Sequence, residues 1–135
     1  MANVYKSLKV SASVQSVWDA MRDVANVHKR VVPGFLTDCG MEGEARIVTF
    51  FNGMVAKELI VDVDDKAMRL VWSARSEGLQ HHNASIQVFE DGPGRCRVVW
   101  IADVLPHEAA KMVGGMMEKA MPIMKKTLES HSSPA

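Results

Sequence analysis

Residues 4–10, VYKSLKV, alternate apolar and polar side chains, the period of a half-buried strand. The period then changes. Val14, Val17, Trp18 and Met21 recur at helical spacing behind Ser11 and Ser13, which predicts a short capped helix. A second short helical piece runs through Val24 and Val27 and must stop before the Val32-Pro33-Gly34 break. Strand-like runs follow over 35–41, 45–51, 54–63, 67–74, 81–89 and 96–104. The turns between them include Asn52-Gly53, Asp64-Asp65-Lys66 and Asp91-Gly92-Pro93-Gly94. Short runs separated by tight turns predict an antiparallel meander. Beyond Pro106 a single apolar stripe (109, 112, 113, 116, 120, 123, 124, 128) predicts one helix over 107–129, about 35 Å long. Pro106 and Glu108 suit its first turn. The expected organisation is one domain over 1–130 and a flexible tail over 131–135.

Alternation also predicts which side chains face inward. Met68, Leu70, Trp72 and Ala74 oppose Arg69, Ser73 and Arg75, so even positions face the core. The same parity places His82, Ala84, Ile86 and Val88 inside and His81 outside. It also places Cys96, Val98, Trp100, Ala102 and Val104 inside in the last strand. In MVAKELIVDV (54–63) both sets are mixed. On pattern alone the odd set, Val55 to Val63, goes inside and Glu58 goes to water.

Composition narrows the function classes. The chain has 135 residues, and its 16 basic and 16 acidic side chains cancel. No global field therefore steers it toward nucleic acid or an anionic membrane. No apolar run is long enough to span a bilayer, and MANVYKSLKV lacks the apolar stretch of a signal peptide. A cytoplasmic location is expected, with Cys39 and Cys96 reduced. No metal is expected, because His81 and His82 diverge and no Cys/His/carboxylate spacing resembles a ligand set; no cofactor is expected, and the sequence has no glycine-rich phosphate loop. The chain has ten methionines, five of them between 112 and 124. Methionine fills cores and lines permissive binding surfaces.

The element order, one strand, two short helices, six strands and a long helix, resembles the helix-grip fold of the START and birch-pollen-allergen (SRPBCC) superfamily. More narrowly it resembles the bacterial proteins grouped as polyketide cyclase/dehydrase-like. The residues that carry the likeness are SASVQSVWDAMRDVANVHKRVVPG, GEARIVTFFNGMVAKELIVDVDD, MRLVWSA and CRVVWIADVLP. The implied fold class is α+β, a curved seven-stranded antiparallel sheet wrapped around a long C-terminal helix. In ligand-binding relatives, plant abscisic acid receptors among them, an acidic residue ahead of the "DD" turn faces the cavity, and Glu58 holds that place. The resemblance therefore reverses the parity read from the pattern of 54–63. It also places Val48, Phe50, Trp72, Ala74, Leu79, His82 and Ala84 on the pocket wall. The lysine that anchors a ligand carboxylate in the hormone receptors has no counterpart, since the aligned region reads VVPGF.

Together with Trp100, Met112 and Met116, these residues form an apolar interior with two polar groups, Glu58 and His82. The expected function is binding or carriage of a small hydrophobic molecule that is lipid-like, aromatic or polyketide. The alternative is a cyclase or aromatase in which Glu58 supports His82 as a general base. A surface-acting accessory protein is a third reading, and a homodimer is left open. Gly114, Gly115 and Pro122 interrupt the long helix. They serve either a kink that follows the sheet or a flexing that admits a ligand.

Overall fold

The computed structural model describes residues 2–76 and 78–130, so the expected tail over 131–135 lies outside the described residues. Seven strands are present: β1 (Ala2–Val10), β2 (Leu36–Glu42), β3 (Ala45–Phe50), β4 (Val55–Asp64), β5 (Arg69–Arg75), β6 (His81–Glu90) and β7 (Cys96–Leu105). They form a single antiparallel sheet in the order β1-β7-β6-β5-β4-β3-β2. Helices α1 (Val14–Arg22) and α2 (Val27–Arg30) flank a 3-10 turn, Val24–Asn26, between β1 and β2. Helix α3 (Ala109–Ser130) closes the concave face along β1 and β7. This is the helix-grip arrangement.

Local chemistry accounts for the helices. The Ser13 hydroxyl accepts from the Ser16 amide at 3.1 Å, capping α1, which then buries Val17, Trp18, Ala20 and Met21. The Trp18 indole and the Arg22 guanidinium both donate to Asp65, at 2.9 and 2.8 Å, tying α1 to the β4–β5 turn. Helix α3 begins at Ala109, later than expected. Pro106 and Glu108 precede it, because the amides of Ala109 and Ala110 bond to the carbonyls of Pro106 and His107 in a tight turn. Its buried side is Val113, Met117, Ala120, Met124, Thr127 and Leu128. Met117 extends the expected stripe, whereas Met112 is half exposed.

Even positions of β5, β6 and β7 face the core as expected, with Leu70, Trp72, Ala84, Ile86, Val98 and Val104 buried. Strand β4 departs from its own pattern. Ala56 and Glu58 are buried while Val55, Leu59 and Val61 are exposed. The register then shifts from Ile60 opposite Trp72 to Asp62 opposite Val71. The extra residue is a β-bulge, and it exchanges the two faces partway along the strand. Val63, beyond it, pairs with buried Leu70. The odd-set reading of this strand is therefore corrected: even positions face inward up to the bulge.

Candidate ligand-binding cavity

A cavity of about 120 Å³ lies between the concave sheet, α2 and α3. Its wall is mostly apolar, with Phe50, Leu70, Trp72, Ile86 and Trp100 from the sheet, Val27 and Val31 from the α2 region, and Met112, Met116, Met117 and Met124 from α3. Leu79 and Ser76 come from the β5–β6 connection. Met112 lines the cavity and is 49% exposed, which places it at the mouth.

Of the residues expected at the site, Phe50, Glu58, Trp72, Ala74, Leu79, His82, Trp100, Met112 and Met116 line the cavity. Val48 and Ala84 do not. Val48 is fully buried opposite Cys39, and the 3-10 turn lies over this part of the sheet, its Val24 carbonyl accepting from Arg46 and from the Cys39 thiol. Ala84 pairs directly with Trp72. The Trp72 and Trp100 rings approach to 6.4 Å across the intervening strand, and the small Ala84 side chain leaves room for that contact.

Two polar features organise the wall. Glu58 lies directly opposite Arg46 across β3 and β4, and Arg46 Nε donates to Glu58 Oε1 at 2.7 Å. Both side chains are buried, at 4% and 11% exposure, so this pair sits in the wall and not on the surface. Arg46 also donates through Nη1 to the Val24 carbonyl at 3.2 Å, and its guanidinium carbon lies 5.3 Å from the Trp72 ring centre. Sequence reasoning passed over Arg46. It shares the parity of Val48 and Phe50, and that was the available signal. The second feature is His82, where burial lowers the imidazole pKa; the Glu58 charge opposes this more weakly and His81 adds slightly to it. Burial thus favours the uncharged imidazole.

Glu58 and His82 stand on β4 and β6, with β5 between them. Glu58 pairs with Ala74, and Ser73 pairs with Asn83, so His82 follows in the same row, two strand spacings from Glu58 or about 10 Å. The carboxylate that was expected to support the imidazole engages Arg46 instead. A further polar group is the Trp100 indole N–H, which is buried without an acceptor among the described residues.

The family described as polyketide cyclase/dehydrase and lipid transport matches residues 1–129, which is nearly the whole chain. The chain belongs to that family. No curated protein sequence matches it. Among solved structures, XoxI from Bacillus cereus superposes with a TM-score of 0.84 at 16% identity, over 98% of this chain and 100% of that one. Norcoclaurine synthase from Thalictrum flavum, in complex with dopamine and hydroxybenzaldehyde, gives 0.70 at 19% identity, over 98% and 88%. A START superfamily protein from Mycobacterium smegmatis gives 0.71 at 13% identity, over 95% and 94%. At these identities the likeness is one of fold. Within that fold the cavity wall of this chain holds an arginine–glutamate pair, a histidine whose pKa burial lowers, and an indole N–H with no acceptor among the described residues.

Both cysteines are free; burial pushes the Cys96 thiol up to about 11 and raises that of half-buried Cys39. Among the described residues no three His, Cys, Asp or Glu side chains are grouped as a metal ion requires. Nor is any described helix long and apolar enough to cross a membrane.

Proposed function

We propose that this protein binds and carries a small, mostly apolar molecule, in the cytoplasm, within the cavity between sheet and α3. The observation that carries this reading is the cavity itself: about 120 Å³, walled by aromatic and methionine side chains, with few polar groups among them. Its size sets the scale of the occupant. An engineered protein cavity of roughly 150 Å³ takes benzene, so one aromatic ring with a short substituent is the natural fit. Larger polycyclic ligands require the methionines of α3 to turn aside, which their three flexible bonds permit. The one-ring ligands in the norcoclaurine synthase complex are of the same scale.

The second reading, a cyclase-type enzyme, is favoured by one observation: an imidazole on the cavity wall whose unprotonated form, the form a general base requires, is favoured by burial. Carriage stands ahead of it because Glu58, the group that would orient His82, is engaged by Arg46. Native mass spectrometry of protein purified from its own source, with identification of any released compound, tests both. A one-ring apolar adduct recovered unchanged supports carriage. Conversion of that compound to product, abolished in His82→Ala without loss of binding, establishes the enzyme. A mass matching the bare chain, with no stabilisation by any small aromatic, contradicts both.

A further inference from the structure

The charge arrangement of the wall narrows the ligand class, on the premise that the cavity binds a ligand at all. Among the described residues Arg46 and Glu58 are the charged side chains lining the cavity, and they are bonded to each other. The guanidinium is further engaged by the Val24 carbonyl and by the face of Trp72. We propose that the cavity selects uncharged ligands and discriminates against carboxylates and ammonium ions of the same shape.

A ligand carboxylate entering here would have to share Arg46 with Glu58 and would bring two like charges together in a poorly solvated space. A ligand ammonium would meet the same conflict with Arg46. Neither ion gains a free counter-charge to offset the loss of its hydration. An uncharged molecule loses little, and polar contacts remain for it. The buried Trp100 N–H needs an acceptor, and the imidazole of His82 can donate or accept. An aryl alcohol or aryl ketone offers the matching oxygen.

The test is a panel of similar size at pH 7.5: benzyl alcohol, acetophenone, benzoate and benzylammonium, with binding followed by calorimetry and by thermal shift. The neutral pair is expected to bind at least about tenfold more tightly than either ion, the factor that separates a modest difference in polar desolvation from none. Equal binding of all four, or preference for an ion, overturns the inference and leaves the cavity as a binding site. Binding of none overturns the binding reading as well.

Glu58→Gln supplies the reciprocal test, because it releases the charge of Arg46. In that variant benzoate is expected to overtake benzyl alcohol and to restore the lost thermal stability, which benzyl alcohol does not. An unchanged preference in a folded Glu58→Gln protein overturns the assignment of selectivity to this pair. Should that variant fail to fold, Arg46→Gln/Glu58→Gln removes both charges. Its selectivity for neutral probes is expected to persist, and a new preference for benzoate overturns the inference.

Discussion

Arg46→Met isolates the buried ion pair. The substitution keeps an unbranched chain against Trp72 but leaves the Glu58 carboxylate, 11% exposed, without its 2.7 Å partner. Breaking a buried pair by removing one member destabilises by about 3–5 kcal/mol, because the remaining charge stays desolvated. For a chain of this length that corresponds to a fall in Tm on the order of 10–20 °C. The loss is large beside a typical total stability of about 5–15 kcal/mol. Arg46→Met/Glu58→Leu removes both charges, and the double variant should recover most of the loss and lie within about 2 kcal/mol of the parent. Urea unfolding followed by circular dichroism gives both values, with an unchanged m-value showing that the cooperative unit is intact. The double-mutant cycle then yields the coupling directly. A single substitution costing under about 1 kcal/mol would refute the reasoning, and so would a double variant whose loss equals the sum of the singles. Either result would mean that Arg46 and Glu58 are solvated and not a wall of the cavity.

Other outcomes follow from the same geometry. Burial lowers the pKa of folded His82 below its unfolded value of about 6.5, so below that pH the unfolded chain takes up a proton that the folded chain resists. Stability from this group is full above about pH 6.5 and is lost as pH falls toward the folded value; His82→Gln should flatten that part of the stability–pH curve, and an unchanged slope would contradict it. A methyl group at Gly115 would meet nothing within 4 Å, and one at Gly114 only Val4 Cγ1 at an ordinary 3.5 Å. Gly115→Ala should therefore stabilise by about 1 kcal/mol in urea melts. If the glycine pair lets α3 flex, the same variant should slow ligand association in stopped-flow measurements; an unchanged rate assigns Gly115 no role in admission. Trp72→Ala should destabilise by about 3–5 kcal/mol and shift binding from one-ring toward two-ring aromatics, read by calorimetry on the folded variant; unchanged size selectivity would remove Trp72 from the wall.

The parts of the fold legible in the sequence are those where one periodicity holds without interruption. In β5, β6 and β7 the even positions face the core from end to end, and their register brings them together: Leu70 with Ile86, Ile86 with half-buried Trp100, Val88 with Val98. Strand β4 was not legible from its pattern, for two physical reasons. The bulge after Ile60 exchanges its faces, so no single parity describes Val55–Asp64. A glutamate also reads as a solvent marker unless its partner is seen, and that partner, Arg46, lies twelve residues upstream on β3. The likeness to the helix-grip superfamily placed Glu58 inside where periodicity did not. The same likeness placed Val48 and Ala84 on the cavity wall, but a shared fold fixes which face a residue occupies and not what covers it in this chain. Their covering comes from the 3-10 turn and from two tryptophan rings, contacts made between distant segments.

Whether the space between sheet and α3 receives a ligand is read most directly from the three tryptophans. Trp72 and Trp100 line the cavity, whereas Trp18 is held by Asp65 at the β4–β5 turn and does not. In a proton–nitrogen correlation spectrum each indole N–H gives its own resonance. Titration with benzyl alcohol or acetophenone should move the Trp100 signal most, as its buried N–H gains an acceptor, move that of Trp72 less, and leave Trp18 in place. Three stationary resonances at saturating concentrations of these neutral aromatics would contradict the account, and so would a shift confined to Trp18.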